Sequence, residues 1–185
     1  MPVNEQTNDA ADTTLETTVD AARRRIALAS GLALAGLLPA LAGAAPAQRG
    51  EPIAWPSVTL LDGQVLSAQG LRDTAAVVVF FSTTCPFCKR HNQHVDKLVQ
   101  ATRGQRLRVV AAAHDRQAAV VQQYLKTAGH GFDATLDSAA LHAALSERRV
   151  IPLTCVIDRQ GRLREVIPGE MFEEDVLELA RWAQA

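Results

Sequence analysis

Residues 75–88 read AAVVVFFSTTCPFC, so an apolar run leads through three hydroxyl-bearing residues into two cysteines. The run from Ala75 to Phe81 is continuous and rich in valine and phenylalanine, which predicts a strand buried on both faces of a sheet. A C-x-x-C motif, Cys85 to Cys88, follows soon after that strand. The sequence therefore predicts that both cysteines lie at one edge of the sheet, where the next element begins.

That next element is predicted to be a helix from Pro86 to about Arg103, since proline suits the first turn of a helix. A cysteine at the helix start meets unpaired backbone N–H groups and the positive end of the helix dipole, which stabilise a thiolate. The thiolate is the attacking species in disulfide exchange. Cys88 falls on the same helix face as Val95, whereas Cys85 stays exposed. We therefore predict a redox-active disulfide with Cys85 as the catalytic nucleophile and Cys88 as the resolving thiol.

Strands and helices alternate along the rest of the chain, and a hairpin and a helix close it. This order is typical of an α/β fold, here a three-layer α/β/α sandwich with a mixed central sheet. The remaining predicted elements are a strand at 58–61 with its return at 65–66, a buried strand at 107–113, a helix capped by Asp115 with Val120 on its inner face, a helix capped by Asp137, a strand at 150–157 interrupted by Pro152, a hairpin strand at 163–167 and a last helix from about Phe172.

Composition narrows the function classes. Hydrophobic residues make up 48% of the 185 residues, which suits one globular domain and a short extension. The net charge is −1, and outside the N-terminus no basic stretch could hold a phosphate backbone, so nucleic acid is not an expected partner. Three cysteines are too few for a disulfide scaffold, and two of them share one motif, which is typical of redox or metal chemistry.

Residues 1–47 are predicted to be an N-terminal signal segment, and residues 48–185 the folded domain. A polar stretch ends in the arginines at 23–25, an apolar run follows at 26–38, and small residues at 40–47 offer cleavage sites. The adjacent arginines and the mildly apolar run resemble a twin-arginine signal.

An uncleaved membrane anchor is the alternative, because apolar residues continue to about residue 47 and roughly 20 of them span a bilayer. In both cases we expect the domain to face the periplasm and to meet the membrane only through this segment.

Three stretches together resemble the TlpA/ResA-like branch of the thioredoxin superfamily. They are the WPSVTLLDG of residues 55–63, the strand and motif of residues 77–88, and the VIPLTCVIDRQG of residues 150–161. The resemblance extends from about Trp55 to Trp182, and it implies that residues 48–185 form a thioredoxin-like domain.

The resemblance implies a thiol–disulfide oxidoreductase. By it, Pro152 is a cis-proline that faces the cysteine pair, and Ile151 offers its backbone to the substrate peptide. Such relatives are exported, mostly reduce specific targets such as apocytochrome c or copper-site cysteines, and receive electrons from a membrane thiol donor. The expected partners are therefore a disulfide-containing client protein and that donor.

Three departures from the family pattern bear on redox potential and direction. Thr84 stands where the family usually has tryptophan before the first cysteine, and Val79 stands where thioredoxins carry a buried carboxylate. Pro86-Phe87 lies between the cysteines. Pro86-Phe87, the missing carboxylate at position 79 and the positive charges of Lys89 and Arg90 should favour the thiolate form of Cys85 and so a more oxidising pair. The periplasm already has dedicated oxidants, so the compartment favours a reductase. We predict a reductase with a potential somewhat above that of thioredoxin.

His91 follows Cys88 by three residues on the same helix face. Two interpretations stay open: a proton relay for the resolving thiol, with a pKa suited to that task, or a partly buried residue that finds a hydrogen bond.

A metal site is the other chemistry that this helix suggests. Cys85, Cys88, His91 and His94 recur at intervals of three and are residue types that bind zinc. Each interval turns the helix by about 60°, so His94 ends nearly opposite Cys85 and the four side chains cannot converge. We predict no metal, and no organic cofactor, because the cysteine pair itself carries two electrons.

The remaining cysteine and histidines receive no role. Cys155 is predicted to be a buried spectator thiol rather than a third redox centre. His114, His130 and His142 are interpreted as loop or helix-surface residues.

The alternative function is that of a copper-handling chaperone of respiratory oxidase assembly on the same fold. That class spaces its cysteines C-x-x-x-C and adds a distal histidine, whereas this chain has C-x-x-C.

Overall fold

The computed structural model describes residues 45–185. The arginines at 23–25 and the apolar run at 26–38, on which the predicted signal depends, lie outside the described residues. Within residues 45–185, no helix is both long enough and apolar enough to cross a bilayer.

Seven strands and four α-helices follow one another in the described chain. A 3₁₀ turn at Ala68–Leu71 and a 3₁₀ helix at Leu179–Ala183 add to them. The strands are β1 Val58–Thr59, β2 Val65–Leu66, β3 Ala75–Phe81, β4 Leu107–Ala113, β5 Asp133–Thr135, β6 Leu153–Ile157 and β7 Leu163–Pro168, and the helices are α1 Pro86–Ala101, α2 Ala118–Ala128, α3 Ser138–Leu145 and α4 Glu173–Glu178.

The central sheet has five strands in the order β5-β4-β3-β6-β7, with β3 in the middle. β3 pairs in parallel with β4 and antiparallel with β6, so the sheet is mixed as predicted. All seven residues of β3 are buried, which explains why its sequence is apolar without alternation. β1 and β2 form a separate two-stranded hairpin.

Alternate residues of β3 supply two hydrophobic clusters, one on each face of the sheet. Val77, Val79 and Phe81 pack in the cluster that contains the inner faces of α1, α2 and α4. Val78 and Phe80 pack on the opposite face, in the cluster that contains α3 and the segment around Trp55. The predicted three-layer α/β/α sandwich is confirmed.

The second helix departs from the prediction. α2 begins at Ala118, and Asp115 does not cap it. The Asp115 carboxylate instead accepts the backbone N–H of Thr83 at 3.0 Å and the Thr83 hydroxyl at 2.6 Å, so it holds the loop that carries the cysteines. Val120, predicted to face inward, is 44% exposed, because it lies at the edge of the helix face on which Val121 is fully buried.

Other boundaries differ for local reasons. The strand predicted from residue 150 begins only at Leu153, since Pro152 has no N–H for the ladder. Asp137 precedes α3, but its side chain accepts the N–H of Thr59 at 2.7 Å rather than capping the helix. β5, a short edge strand, was not predicted.

Candidate active site

Cys85 ends the short loop that joins β3 to α1. It is the N-cap residue of α1, and its Sγ accepts the backbone N–H of Cys88 at 3.3 Å. Pro86 occupies the first turn, as the sequence predicts. The thiol is half-buried and therefore within reach of another protein. A sulfur that already accepts an N–H at the positive end of a helix is suited to carry negative charge.

Cys88, by contrast, is fully buried beneath it. Both thiols are free, so the structure shows the dithiol form of the pair. Burial raises the pKa of the Cys88 thiol, and its hydrogen bond with Cys85 raises it further. The pair is asymmetric in the sense that disulfide exchange requires: one accessible sulfur and one sulfur that stays protonated until it is needed.

The loop around Pro152 borders the same edge of the sheet. β6 is antiparallel to β3 with Leu153 opposite Phe80, and this register brings Pro152 beside the end of β3. The Ile151–Pro152 bond is cis, as the resemblance implied. Ile151 packs against the cluster that Cys85 also contacts.

His91 is fully buried, whereas partial burial was expected. Its Nδ1 accepts the Met171 N–H at 3.3 Å, which leaves the proton on Nε2, 3.1 Å from the Thr154 hydroxyl. Burial lowers the pKa of His91 to about 4, so the ring is neutral at physiological pH. Both nitrogens are engaged away from Cys88, and these contacts favour the hydrogen-bonded alternative over the relay.

The positive charge of Arg90 is not available to Cys85 alone, because Arg90 forms a bidentate ion pair with Glu170. The Arg90 Nε and Nη2 donate to the two Glu170 carboxylate oxygens at 2.8 and 2.6 Å. The guanidinium also lies 4.9 Å from the centre of the Phe87 ring. The hydrogen bond to Glu170 is the main reason that the pKa of Arg90 is raised, and Cys85 adds to it. The expected influence of Arg90 on the thiolate is therefore partly offset.

Glu170 belongs to a short segment that joins the two halves of the site. The Gly169 N–H donates to the Pro152 carbonyl at 2.8 Å, and Met171 contacts both His91 and His94 through its backbone. The segment therefore ties α1, which carries the cysteines, to the Pro152 loop. Sequence reasoning missed it, because its partners on α1 are about 80 residues away in the chain.

The four residues considered for a zinc site do not form one. Among residues 45–185, no three or more histidine, cysteine or acidic side chains are grouped so that they could hold a metal ion. His91 and His94 both hydrogen-bond Met171 instead. Cys155 is fully buried in β6, and burial raises its pKa to about 12, which suits an unreactive thiol.

One further interpretation was wrong. His142 is not a surface residue, since it is 2% exposed and stacks on Phe80 with ring centres 3.8 Å apart. Its position on a short alanine-rich helix gave no sign of this burial.

Comparison with known proteins shows the family of this chain. The sequence profile of the Redoxin family matches residues 48–180. The chain belongs to the Redoxin family. The thiol–disulfide oxidoreductase ResA of Halalkalibacterium halodurans is 25% identical over 118 residues, which are 64% of this chain and 67% of that protein. The ResA of Bacillus cereus is 21% identical over 119 residues, 64% and 69% of the two chains.

Solved structures agree with the Redoxin fold. A thioredoxin-family thiol:disulfide interchange protein from Chlorobium tepidum superposes with a TM-score of 0.64 and 24% identity, covering 77% of this chain and all of that one. StoA from Bacillus subtilis gives a TM-score of 0.58 at 19% identity over 67% and 94% of the two chains. The protein is a thioredoxin-like thiol–disulfide oxidoreductase of the ResA-like branch.

The buried His91 makes stability depend on pH. In the unfolded chain the pKa of His91 returns to the ordinary value of 6.5. Between pH 6.5 and about pH 4, the ring is therefore protonated in the unfolded state but neutral in the folded state. Stability should be intact above pH 6.5 and fall by up to about 3 kcal/mol as the pH drops to 4. Urea unfolding above pH 6.5 and at pH 4 should show a smaller fall in the free energy of unfolding for His91→Gln than for the wild-type protein. Comparing the fall within each protein cancels packing lost in the variant, and an equal fall in both would contradict the assignment.

Removing the charge of Glu170 should make the cysteine pair more oxidising. In Glu170→Gln the released Arg90 acts fully on the Cys85 thiolate. The reduction potential should rise by no more than some tens of millivolts, because solvent screens the charges of exposed groups. Equilibration with glutathione measures the shift.

The matched control is Glu173→Gln, which removes the same charge from an ion pair with Lys97, about 18 Å further along the helix axis from Cys85. The control should leave the potential unchanged. A lower potential in Glu170→Gln, or equal shifts in both variants, would refute the coupling.

Proposed function

We propose that the protein is an exported reductase of disulfides in specific client proteins, with Cys85 as nucleophile and Cys88 as resolving thiol. The observation that carries the proposal is the asymmetry of the pair. Cys85 is accessible and accepts an N–H at the helix start, whereas Cys88 is fully buried with a raised pKa.

The reaction proceeds in two exchanges. The Cys85 thiolate attacks one sulfur of the client disulfide; that S–S bond breaks, and the other client sulfur leaves as a thiolate that takes up a proton. Cys88 then loses its proton, attacks Cys85 Sγ and expels the second client thiolate. The client gains two electrons and two protons, and the protein is left with a Cys85–Cys88 disulfide. A membrane thiol donor is the class of reductant that restores the dithiol.

Client binding is proposed for the edge formed by Ile151 and Pro152. Ile151 is half-buried and precedes the paired part of β6, so its backbone can meet an extended peptide. Phe87, between the cysteines, and Val150, two residues before Pro152, are 55% and 51% exposed and are therefore available for apolar contacts with a client.

His91 is proposed to position α1 rather than to relay protons. Its ring joins the helix that carries the cysteines to Thr154 of β6 and to the Met171 backbone. A relay would first have to break one of these hydrogen bonds, and a neutral ring with a pKa of about 4 is a weak base at physiological pH.

The direction of electron flow should be that of a reductase. Glu170 offsets part of the Arg90 charge, so the local features that favour an oxidant are weaker than the sequence suggests. One nearby charge shifts the potential by some tens of millivolts at most, far less than the roughly 150 mV that separates thioredoxin from the strongest oxidants.

The glutathione equilibrium should therefore give a potential somewhat above that of thioredoxin. Thiol alkylation in intact cells should find the pair reduced. A pair fully oxidised in cells, with a potential near that of the strong oxidants, would overturn the proposed direction.

Trapping tests the roles of the two cysteines. Cys88→Ser should accumulate covalent adducts with client proteins, because the mixed disulfide at Cys85 loses its internal escape. Cys85→Ser should accumulate none. Cys155→Ala, which changes the third thiol, should leave turnover nearly unchanged, and a large loss would make Cys155 a redox centre. Non-reducing gels followed by mass spectrometry identify the adducts; adducts on Cys85→Ser but not on Cys88→Ser would reverse the assignment.

Export is proposed to depend on Arg23 to Arg25, with residues 1–47 as the signal or anchor and residues 48–185 as the exported domain. Lysine in place of all three arginines keeps the positive charge, so it should block a twin-arginine route and spare a general secretory route. Fractionation of periplasm measures the result. Normal export in cells without the twin-arginine translocase would contradict that route.

A further inference from the structure

Two histidines outside the cysteine pair face each other across the end of the sheet. His114 follows β4 directly, and its backbone N–H donates to the carbonyl of Phe81, the last residue of β3. His142 lies in α3. Their Nε2 atoms are 3.1 Å apart, and the ring planes are inclined by 62°.

Hydrogen bonding assigns the protons on both rings. His142 Nδ1 lies 3.3 Å from the carbonyl oxygen of Ser146, which can only accept, so Nδ1 carries the proton. The lone pair of His142 therefore sits on Nε2 and points at His114, whose Nε2–H donates to it. Because His114 is exposed, solvent can move its proton from Nε2 to Nδ1 and free a second lone pair on the same side.

This arrangement matches a pair of metal-binding imidazoles. Two nitrogens bound to one tetrahedral ion at 2.0–2.1 Å lie about 3.3 Å apart, close to the separation seen here. Histidine ligands usually donate their other N–H to a carbonyl or carboxylate, as His142 does to Ser146. The stacking of His142 on Phe80 holds one ligand fixed, while the exposed His114 leaves the ion accessible.

We propose that His114 and His142 form a binding site for a first-row divalent ion of the Cu²⁺ or Zn²⁺ type, completed by water. Imidazole nitrogens suit these ions, whereas Ca²⁺ and Mg²⁺ prefer oxygen ligands. Cu²⁺ should bind more tightly than Zn²⁺, following the general order of first-row affinities.

The surrounding charges set the strength of the site. Arg149 acts as a positive charge on both rings and opposes a cation. The carboxylate of Asp115, the residue next to His114, is already engaged by Thr83. Among residues 45–185, no third histidine, cysteine or acidic ligand completes a cluster, so two imidazoles carry the binding. The site is accordingly exchangeable rather than a structural metal centre.

Titration of the purified protein with Cu²⁺ and with Zn²⁺ tests the site. The Cys85–Cys88 disulfide is formed first, so that the thiols cannot take the metal. Calorimetry should give one ion per chain, and electron paramagnetic resonance of the Cu²⁺ form should show coupling to two nitrogens. His114→Gln should weaken binding by at least about tenfold, the loss that even outer-shell changes cause.

Two variants complete the design. His130→Gln removes a different half-buried histidine, which contacts Tyr124 and Phe132, and should bind one ion with wild-type affinity. Arg149→Gln removes the opposing charge and should tighten binding several-fold. The proposal fails if the wild-type protein takes up no ion, if His114→Gln binds as tightly as wild type, or if His130→Gln loses the ion. Because His114 is exposed, its replacement should not disturb folding, which far-ultraviolet circular dichroism checks.

Discussion

The pairing of β3 on both of its sides is the constraint on which the rest of the site depends. Seven register pairs join β3 to β4, and five join it to β6. A shift of one residue would turn every side chain of this strand to the opposite cluster, so the register is strongly specified. With the register fixed, Cys85, four residues after the end of β3, and Pro152, directly before β6, lie at the same edge of the sheet. The position of the first turn of α1 then decides that the sulfur of Cys85 is accessible and that of Cys88 is buried.

The helix that begins there needs a second set of contacts to hold its position. The Gly169–Met171 segment supplies them, because its backbone meets Pro152 on one side and His91 and His94 on the other. Glu170 adds the ion pair with Arg90 at the rim. The same few residues therefore hold the cysteine-bearing helix beside the Pro152 loop and moderate the charge beside Cys85. The Gly169–Met171 segment thus affects both the position of α1 and the charge near Cys85.

The sequence predicts what local pattern determines. The apolar run into C-x-x-C gives the central strand, the helix start and the asymmetry of the two cysteines, and Pro86 marks the first turn. The contacts that join distant residues are not written in such patterns. Asp115 looks like a helix cap but serves Thr83, because a short carboxylate next to a loop can satisfy either N–H group. Arg90 looks like a free charge until the fold brings Glu170 to it, and His142 looks exposed until Phe80 stacks on it.

Alkylation of the reduced native protein tests the central claim, that Cys85 is the only reactive thiol of the three. A short exposure to iodoacetamide near pH 7, followed by peptide mass mapping, reports which sulfur has reacted. The account predicts modification of Cys85 alone, with Cys88 and Cys155 reacting only after unfolding, because both are fully buried. Modification of Cys88 at the same rate as Cys85 in the folded protein would contradict it.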